Sequence, residues 1–408
     1  MRRRGLAAGV LALALVGCAQ VQPGTGPTPT GPVDGPTAAV TAGPTPVASG
    51  ATGTPSPSAT AGVTTCADLA GSLDLREQAA QLVMVGVHGE VDAAEAAALE
   101  EYGFGSAILM GNTTHGVAGT KQRTDAVQAA GKGQVLVAVD QEGGLVRRLK
   151  GPGFTDMPSA AEQAKLDPAE LSAAAQTWGA EMAKAGVHLD FAPVADVVPA
   201  AKVGTNEPIG KIGRGYGTTP EQVAANVEAV VTGFQRGGIA ASVKHFPNLG
   251  EVVGNTDFAT KVVDDVTTRD AASLEPYRRA IAAGVETVMV ATAWYPLIDA
   301  DAPAAFSPAV LSILRDDLGY TGVIASDDLG VAKAVADVPA RERAVRFVRA
   351  GGDLAVAVDV APAEAMVDGL AAAAADDADL AARVAESAGR VLALKSQFGL
   401  AACEVVVG

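Results

Sequence analysis

The chain has 408 residues and a formal net charge of −16, from 46 acidic and 30 basic side chains. Binding to nucleic-acid phosphates needs clustered basic residues, and no basic and aromatic strip is present, so we expect no nucleic-acid partner. Past Gly17 there is no long apolar run, which excludes a transmembrane helix in the rest of the chain.

The N-terminus has the pattern of an export signal. Arg2–Arg4 precede an apolar run from Leu6 to Gly17, which is too short to span a bilayer but suits a signal peptide. The run ends in Leu15-Val16-Gly17-Cys18, which resembles the bacterial lipobox, a signal in which the cysteine becomes the acylated N-terminus. We therefore expect a lipoprotein signal peptide over 1–17, with Cys18 anchored to the outer face of the bacterial cell membrane as the only membrane contact. A plain secretory signal with an accidental cysteine is the alternative.

Residues 18–64 are rich in Pro, Gly, Thr, Ala and Ser, with almost no charge. Such a stretch buries too little apolar surface to offset its ordering entropy, so it is expected to be a disordered tether. The remaining residues, 65–408, are expected to form one folded domain. Cys66 and Cys403 bracket this domain, and export would place them where disulfides form. We expect a bridge between them, with two free thiols as the alternative.

Eight short apolar runs recur along the domain, and their cores are continuously apolar, as in parallel strands covered on both faces. The predicted strands are Gln81–Val87, Gly105–Gly111, Val135–Asp140, Leu189–Asp196, Ala240–Phe246, Thr287–Trp294, Gly322–Asp327 and Leu354–Asp359.

Segments with apolar residues three and four apart lie between these strands and predict helices. The predicted helices are Ala93–Tyr102, Arg123–Ala130, Glu162–Ala185, Pro220–Arg236, Ser273–Ala283, Pro308–Leu318, Arg341–Ala350 and Leu380–Phe398. Eight strands alternating with helices predict a single-domain (β/α)₈ TIM barrel. A doubly wound open sheet is the alternative, but it usually carries a phosphate-binding glycine loop after its first strand, and none follows Val87.

Charged residues stand where the predicted strands end, which is the active face of a barrel. Burying Asp, Lys and His there is costly unless they are paired or hold a ligand. The segments are Asp140-Gln141-Glu142-Gly143-Gly144, Asp196, Lys244-His245-Phe246-Pro247 and Ser326-Asp327-Asp328.

Together with Phe191–Asp196, Ile212–Gly217 and Phe306-Ser307, these segments resemble family 3 glycoside hydrolases of the single-domain β-N-acetylhexosaminidase type. The resemblance extends from about Leu75 to Leu400, with six motifs in the family's order. It implies that Asp327 is the nucleophile, and a retaining glycosidase does need an ionised carboxylate beneath the anomeric carbon. Asp328 is the rival, and the alternative for Asp327 is a helix cap.

The resemblance also implies which residues hold the sugar: Asp140, Arg148, Arg214, Lys244 and His245. Sugar hydroxyls accept and donate hydrogen bonds, so a carboxylate and several cationic donors can orient a pyranose ring. For Lys244 and His245 an internal salt-bridged cluster with Asp140 or Asp196 is the alternative. Asp196 is expected to orient its neighbours, and Glu142 to brace Arg148. No histidine pair has metal-ligand spacing, so we expect neither a metal site nor a cofactor.

One loop departs from the family. Relatives continue after Lys-His-Phe-Pro to an Asp-Ser-His segment whose histidine, paired with the aspartate, is the general acid/base. Here Asn255 and Asp257 stand at those two positions. Asp257 is the first candidate for the acid, with a pKa raised by burial or by the charge on Asp327. Glu251 is its rival, and loss of acid catalysis is the third possibility. Ala291-Thr292 and Leu145 also differ from the family's histidine and arginine.

These features predict a retaining exo-β-glycosidase, a β-N-acetylglucosaminidase acting on β-linked saccharides of the cell wall or of glycoconjugates. We expect it to act as a monomer. Two alternatives stay open. One is a phosphorylase or transglycosylase of the same family, and the other is a sugar-binding lipoprotein without chemistry, for which Asp327 would be of no use.

Overall fold

The computed structural model of the protein describes residues 64–404. The expected signal peptide, Cys18 and all but the last residue of the expected tether lie outside the described residues. None of the helices in residues 64–404 is both long and apolar enough to cross a bilayer.

Eight parallel strands form a closed barrel in which each strand pairs with its neighbours in chain order and the first pairs with the last. This confirms the predicted (β/α)₈ barrel. The strands are β1 Val83–His88, β2 Ser106–Met110, β3 Leu136–Val139, β4 Leu189–Asp190, β5 Ala240–Phe246, β6 Thr287–Val290, β7 Val323–Asp328 and β8 Leu354–Ala357.

Two strands, β4 and β6, are shorter than predicted by four residues or more. β4 ends at Asp190 rather than Asp196, because Pro193 has no N–H to donate to a ladder, and the chain then follows β5 through an isolated bridge at Val194. β6 ends at Val290, and Trp294–Tyr295 instead pairs with Asp299–Pro303 in an antiparallel hairpin. A second hairpin joins Gln141–Gly143 to Val146–Arg147 directly after β3. Both hairpins lie at the carboxyl end of the barrel.

The helices surround the barrel. They are α1 Cys66–Ser72, α2 Leu75–Gln81, α3 Ala93–Tyr102, α4 Gly116–Ala130, α5 Ala160–Gln163, α6 Pro168–Lys184, α7 Pro220–Gly237, α8 Glu275–Ala282, α9 Pro308–Ser312, α10 Ala340–Ala350, α11 Val360–Ala375 and α12 Ala378–Ser396.

The predicted helix Glu162–Ala185 is wrong as a single element. Asp167 caps α6 by accepting from the backbone N–H of Ala169, and Pro168 occupies the first turn, where its missing N–H costs nothing. Proline at this position also disfavours helical geometry in the preceding residue, which separates α5 from α6. Helix α11 was not predicted from the sequence, because its alanine-rich sequence gives little contrast between its faces.

The inside of the barrel is filled by apolar side chains, and the C-terminal helix closes its amino end. Val391 and Leu394 of α12 pack with the inward-facing Met84 and Leu136, and Phe398 packs against the same cluster. α1 lies against α12, and Cys66 forms a disulfide with Cys403. Because the amino end is sealed, the polar site has only the carboxyl end available.

Candidate active site

Asp327 and Asp328, the last two residues of β7, have different surroundings. The Asp328 carboxylate accepts from the backbone N–H groups of Gly330, Val331 and Ala332 at 2.8–2.9 Å, and from that of Val358 at 3.1 Å. The half-buried Asp327 carboxylate accepts only from the backbone N–H of Asp328 and, among the described residues, has no ion-pair partner. Asp328 therefore holds the loop, whereas Asp327 has an oxygen free to react.

A buried charge cluster lies at the ends of β3 and β5. Arg214 donates two hydrogen bonds of 2.7 Å to Glu142, and Lys244 Nζ lies 2.7 Å from Glu142 and 2.6 Å from Asp140. Burial would raise the pKa of Glu142, but Arg214 and Lys244 outweigh it and hold the pKa well below its ordinary value. The expectation that Glu142 braces Arg148 is wrong. Glu142 pairs with Arg214 and Lys244, because the hairpin after β3 turns it inward.

Lys244 remains a cation despite its burial. Burial lowers the pKa of this ammonium group, but the charges of Asp140 and Glu142 outweigh it, so the pKa is raised. Lys244 therefore belongs to an internal salt-bridged cluster, the alternative raised from the sequence. Asp140 keeps a side chain that is 21% exposed, so this end of the cluster can also meet a ligand.

His245 is oriented by Asp196. Its Nδ1 lies 2.7 Å from the fully buried Asp196 carboxylate, which also accepts from the backbone N–H of Leu249 at 2.6 Å. The other ring nitrogen, Nε2, lies 3.4 Å from an Nη of Arg214. The carboxylate that binds Nδ1 sets the orientation of the imidazole ring, so that Nε2 faces the guanidinium group of Arg214.

Arg148 is the most weakly held cation of the predicted set. Its Nη1 reaches Asn112 Oδ1 only at 3.5 Å, and its buried Nε has no hydrogen-bond partner. Buried donors are normally paired, so this guanidinium has hydrogen-bonding capacity left for a ligand.

Asp190 carries a buried carboxyl that was not predicted from the sequence as part of the site. It is fully buried in β4, where one oxygen accepts from the backbone N–H of Gln141 at 2.8 Å and the other has no partner. Burial is the main cause that raises the pKa of Asp190 well above its ordinary value. The available signal was an aspartate inside an otherwise apolar strand.

Asp257 lies in the same mouth as Asp327, on the long connection after β5. Asp257 as a whole residue is exposed to solvent, but partial burial of its carboxyl in the mouth, followed by the charge on Asp327, raises the pKa of Asp257 to about 6, while His245 and Arg214 oppose the shift. The segment is anchored by its backbone, because Lys333 N–H donates to the Asp257 carbonyl and Ala334 N–H to that of Thr256. The connection after β7 thus holds Asp257 near the charge of Asp327.

Glu251 forms a salt bridge with Lys202. Its carboxylate lies 2.6 Å from Lys202 Nζ, and that ammonium also donates to the Glu251 carbonyl at 3.0 Å. The structure therefore places the Glu251 carboxylate in a salt bridge with Lys202.

One cavity lies outside this site, and no group of metal ligands is found among the described residues. A cavity of about 530 Å³ lies between the hairpin that begins at Trp294 and α10, and none of the predicted sugar-contacting residues lines it. In residues 64–404, no three His, Cys, Asp or Glu side chains are grouped as metal ligands would be.

Comparison with known proteins gives a consistent result. Residues 74–394 match the model of the glycosyl hydrolase family 3 N-terminal domain. A beta-hexosaminidase of Stenotrophomonas maltophilia is 35% identical over 281 residues, which are 64% of this chain and 79% of that protein. Beta-hexosaminidase LpqI of Mycobacterium tuberculosis is 33% identical over 319 residues, which are 75% of this chain and 79% of that protein. The crystal structure of a beta-N-acetylhexosaminidase from Beutenbergia cavernae is 41% identical, with a TM-score of 0.77 over 80% of this chain and 99% of that one.

Proposed function

This chain belongs to glycosyl hydrolase family 3 and is a β-N-acetylhexosaminidase-like glycoside hydrolase, and we propose that it is a retaining exo-β-N-acetylglucosaminidase with Asp327 as nucleophile. One observation supports the proposal above all others. Asp327 is a carboxylate without a cation partner among the described residues, and its chain neighbour Asp328 accepts four backbone N–H groups. A nucleophile needs free lone pairs, and Asp327 has them.

The first step of the proposed reaction is glycosylation. An Asp327 oxygen attacks C1 of the sugar at the non-reducing end, the bond between C1 and the glycosidic oxygen breaks, and Asp257 donates its proton to that oxygen. The products are a glycosyl ester of Asp327 and a free alcohol.

The second step restores the enzyme. Asp257, now ionised, takes a proton from water, whose oxygen attacks C1 and releases the Asp327 carboxylate. The sugar leaves with its β configuration retained.

The pKa of Asp257, raised to about 6 by burial and by the charge on Asp327, suits both steps. A carboxyl with a pKa near the working pH can donate a proton in one step and accept one in the next. Glu251 is less suitable, because its carboxylate is held in a salt bridge with Lys202.

The charge cluster is proposed to hold the sugar in register. Asp140 and Lys244 form one ion pair, and Arg214 lies beside His245, so the site offers carboxylate acceptors and cationic donors to vicinal hydroxyls. Arg148 adds a donor, its Nε, that the protein leaves unpaired. Specificity for an N-acetylhexosamine follows the names of the relatives, which are hexosaminidases, and N-acetylglucosamine is the member of that class that we propose.

The cellular setting is also a proposal. The apolar run before Cys18 supports export and lipid anchoring at the outer face of the cell membrane. There, β-linked fragments of the cell wall would be the available substrates, and the enzyme would contribute to cell-wall recycling as a monomer.

Hydrolysis of 4-nitrophenyl β-N-acetylglucosaminide tests the proposal, with the anomer of the first product read by NMR. We expect release of nitrophenol and a β-configured sugar. An α-configured first product would contradict a nucleophilic Asp327. Binding of the glycoside without turnover would favour the sugar-binding alternative. A sugar 1-phosphate formed in phosphate buffer would favour a phosphorylase.

A further inference from the structure

The large apolar side chains that are exposed in residues 64–404 are concentrated on one face of the barrel. Nine such residues are exposed. Eight of them lie on connections that lead from the carboxyl end of a strand to the next helix, and the ninth, Leu166, lies between α5 and α6. Single exposed apolar residues are ordinary, but their concentration on the face that carries the active site points to a contact made there.

Two of the nine residues flank the two candidate catalytic carboxylates. Phe258 directly follows Asp257 and is 83% exposed, and Val331, on the connection after β7, is 52% exposed. The two segments run antiparallel, because Lys333 N–H donates to the carbonyl of Asp257 and Ala334 N–H to that of Thr256. This pairing brings Phe258 alongside the backbone next to Val331. We call these two residues the apolar lip.

We propose that the apolar lip is a leaving-group site, and that the enzyme prefers β-glycosides whose leaving group carries an apolar portion. The inference rests on the proposed glycosidase function. It adds a class of leaving group, the part of the substrate that lies across the scissile bond from the sugar.

The position of Asp257 assigns the lip to the leaving group. A general acid must reach the glycosidic oxygen, so it lies on the side from which the leaving group departs. Phe258 extends from that same segment into solvent. The sugar-holding cluster of Asp140, Lys244 and Arg214 lies on the ends of other strands and is polar throughout. An apolar surface at the lip therefore suits the departing group better than the sugar.

The expected effect follows from the area that the lip can cover. Burying about two methylene groups against an aromatic ring and a valine would raise the specificity constant about tenfold. The preference should disappear when both side chains become small and polar.

The experiment compares the hexyl and methyl β-glycosides of N-acetylglucosamine, which have alcohols of similar acidity and differ in apolar length. The proteins are the wild type, the double variant Phe258→Ser with Val331→Ser, and the control Val253→Ser. Val253 is 63% exposed on the same connection as Phe258 but outside the lip. We expect the wild type and the control to have a kcat/KM about tenfold higher for the hexyl glycoside. The double variant should show a ratio near one, with its kcat/KM for the methyl glycoside retained.

A second measurement separates failure of this inference from failure of the proposed function. Dissociation constants of both glycosides are measured by calorimetry with Asp327→Asn, with and without the lip substitutions. If the wild type hydrolyses neither glycoside, the proposed function is wrong. In that case, tighter binding of the hexyl glycoside that is lost with the lip substitutions still supports the leaving-group site. Equal affinities and equal kcat/KM values overturn the lip, and binding of neither glycoside overturns both. The inference is also overturned if the lip is required for sedimentation with phosphatidylglycerol vesicles or for dimer formation, while the two glycosides show equal affinities and equal kcat/KM values.

Discussion

Asp327 and Asp328 are neighbours in the chain, yet Asp328 accepts from four backbone N–H groups while Asp327 accepts from one. The two residues should therefore respond differently to the same change. Asp327→Asn should lose activity on every substrate, by at least about 10⁴-fold, because an amide oxygen cannot form the glycosyl ester. Its unfolding midpoint should stay near that of the wild type.

Asp328→Asn is the matched control. An amide NH₂ would face backbone donors where a carboxylate oxygen now accepts, so we expect a loss of about 1–3 kcal/mol in the free energy of unfolding. Chemical denaturation and 4-nitrophenyl glycoside hydrolysis should be measured on both variants. A nucleophile at position 328 would reverse the pattern of activity.

Asp257→Ala should discriminate between leaving groups. An acidic phenol leaves without much protonation, whereas an alkoxide needs it, so we expect a loss of about 10²–10⁴-fold for alkyl glycosides. The first step on 4-nitrophenyl glycosides should be affected far less. Glu251→Ala is the control, because Glu251 lies on the same connection as Asp257 and its carboxylate is paired with Lys202. Equal losses on both kinds of substrate would show that Asp257 is not the acid.

The dependence of kcat/KM on pH should report the pKa of the Asp257 carboxyl. Asp257 must be protonated to act as an acid, and burial together with the charge on Asp327 raises its pKa to about 6. For alkyl glycosides, kcat/KM should therefore fall about tenfold per pH unit above about pH 6. In Asp257→Ala this fall should be absent from the kcat/KM profile.

Asp257→Asn should change the pH dependence of stability. Because the pKa of Asp257 is raised in the folded state, to about 6 from 3.8, the folded protein binds more protons between these two values. The stability of the wild type should fall across this interval, relative to the variant, and the deficit should persist above about pH 6. Melting temperatures at pH 4, 5, 6 and 7 test this. A constant difference between the two proteins would contradict it.

Glu142→Gln should destabilise the fold and weaken sugar binding. Glu142 is buried and paired with Arg214 and Lys244, and removing one partner of a buried pair typically costs about 3–5 kcal/mol. Because the pKa of Glu142 is held well below 4.5 despite burial, its contribution is present above pH 4.5 and lost as the pH falls below that value. Chemical denaturation at several pH values checks this. Glu162→Gln, which removes a surface pair with Lys165, should have no measurable effect.

The disulfide between Cys66 and Cys403 should be measurable through both chemistry and stability. Neither thiol should react with iodoacetamide in the unfolded protein until a reductant is added. Replacing both cysteines with alanine should lower the free energy of unfolding by about 2–5 kcal/mol, because the bridge restricts the unfolded chain. Alkylation of either residue without reduction would show that the bridge is absent.

The architecture could be predicted from the sequence because each barrel strand is a short, continuous apolar run, a local pattern that needs no knowledge of distant residues. Strand β5, Ala240–Phe246, and helix α3, Ala93–Tyr102, have the predicted boundaries. The predictions failed where neighbours decide the outcome. β4 is cut short at Asp190, and Pro168 divides a predicted helix in two.

The sequence by itself determined the barrel, the family, the positions of Asp327, Lys244 and His245 at the ends of strands, and the position of Asp257 on the connection after β5. Only the tertiary structure decided which charges pair. Glu142 and Arg214 are 72 residues apart, and they meet because the segment after β3 and the connection after β4 lie at the same end of the barrel. Likewise, the state of Asp257 depends on the nearby charge of Asp327 and on burial. Charge interactions and desolvation depend on distances in space, and a linear pattern of residue types does not contain those distances.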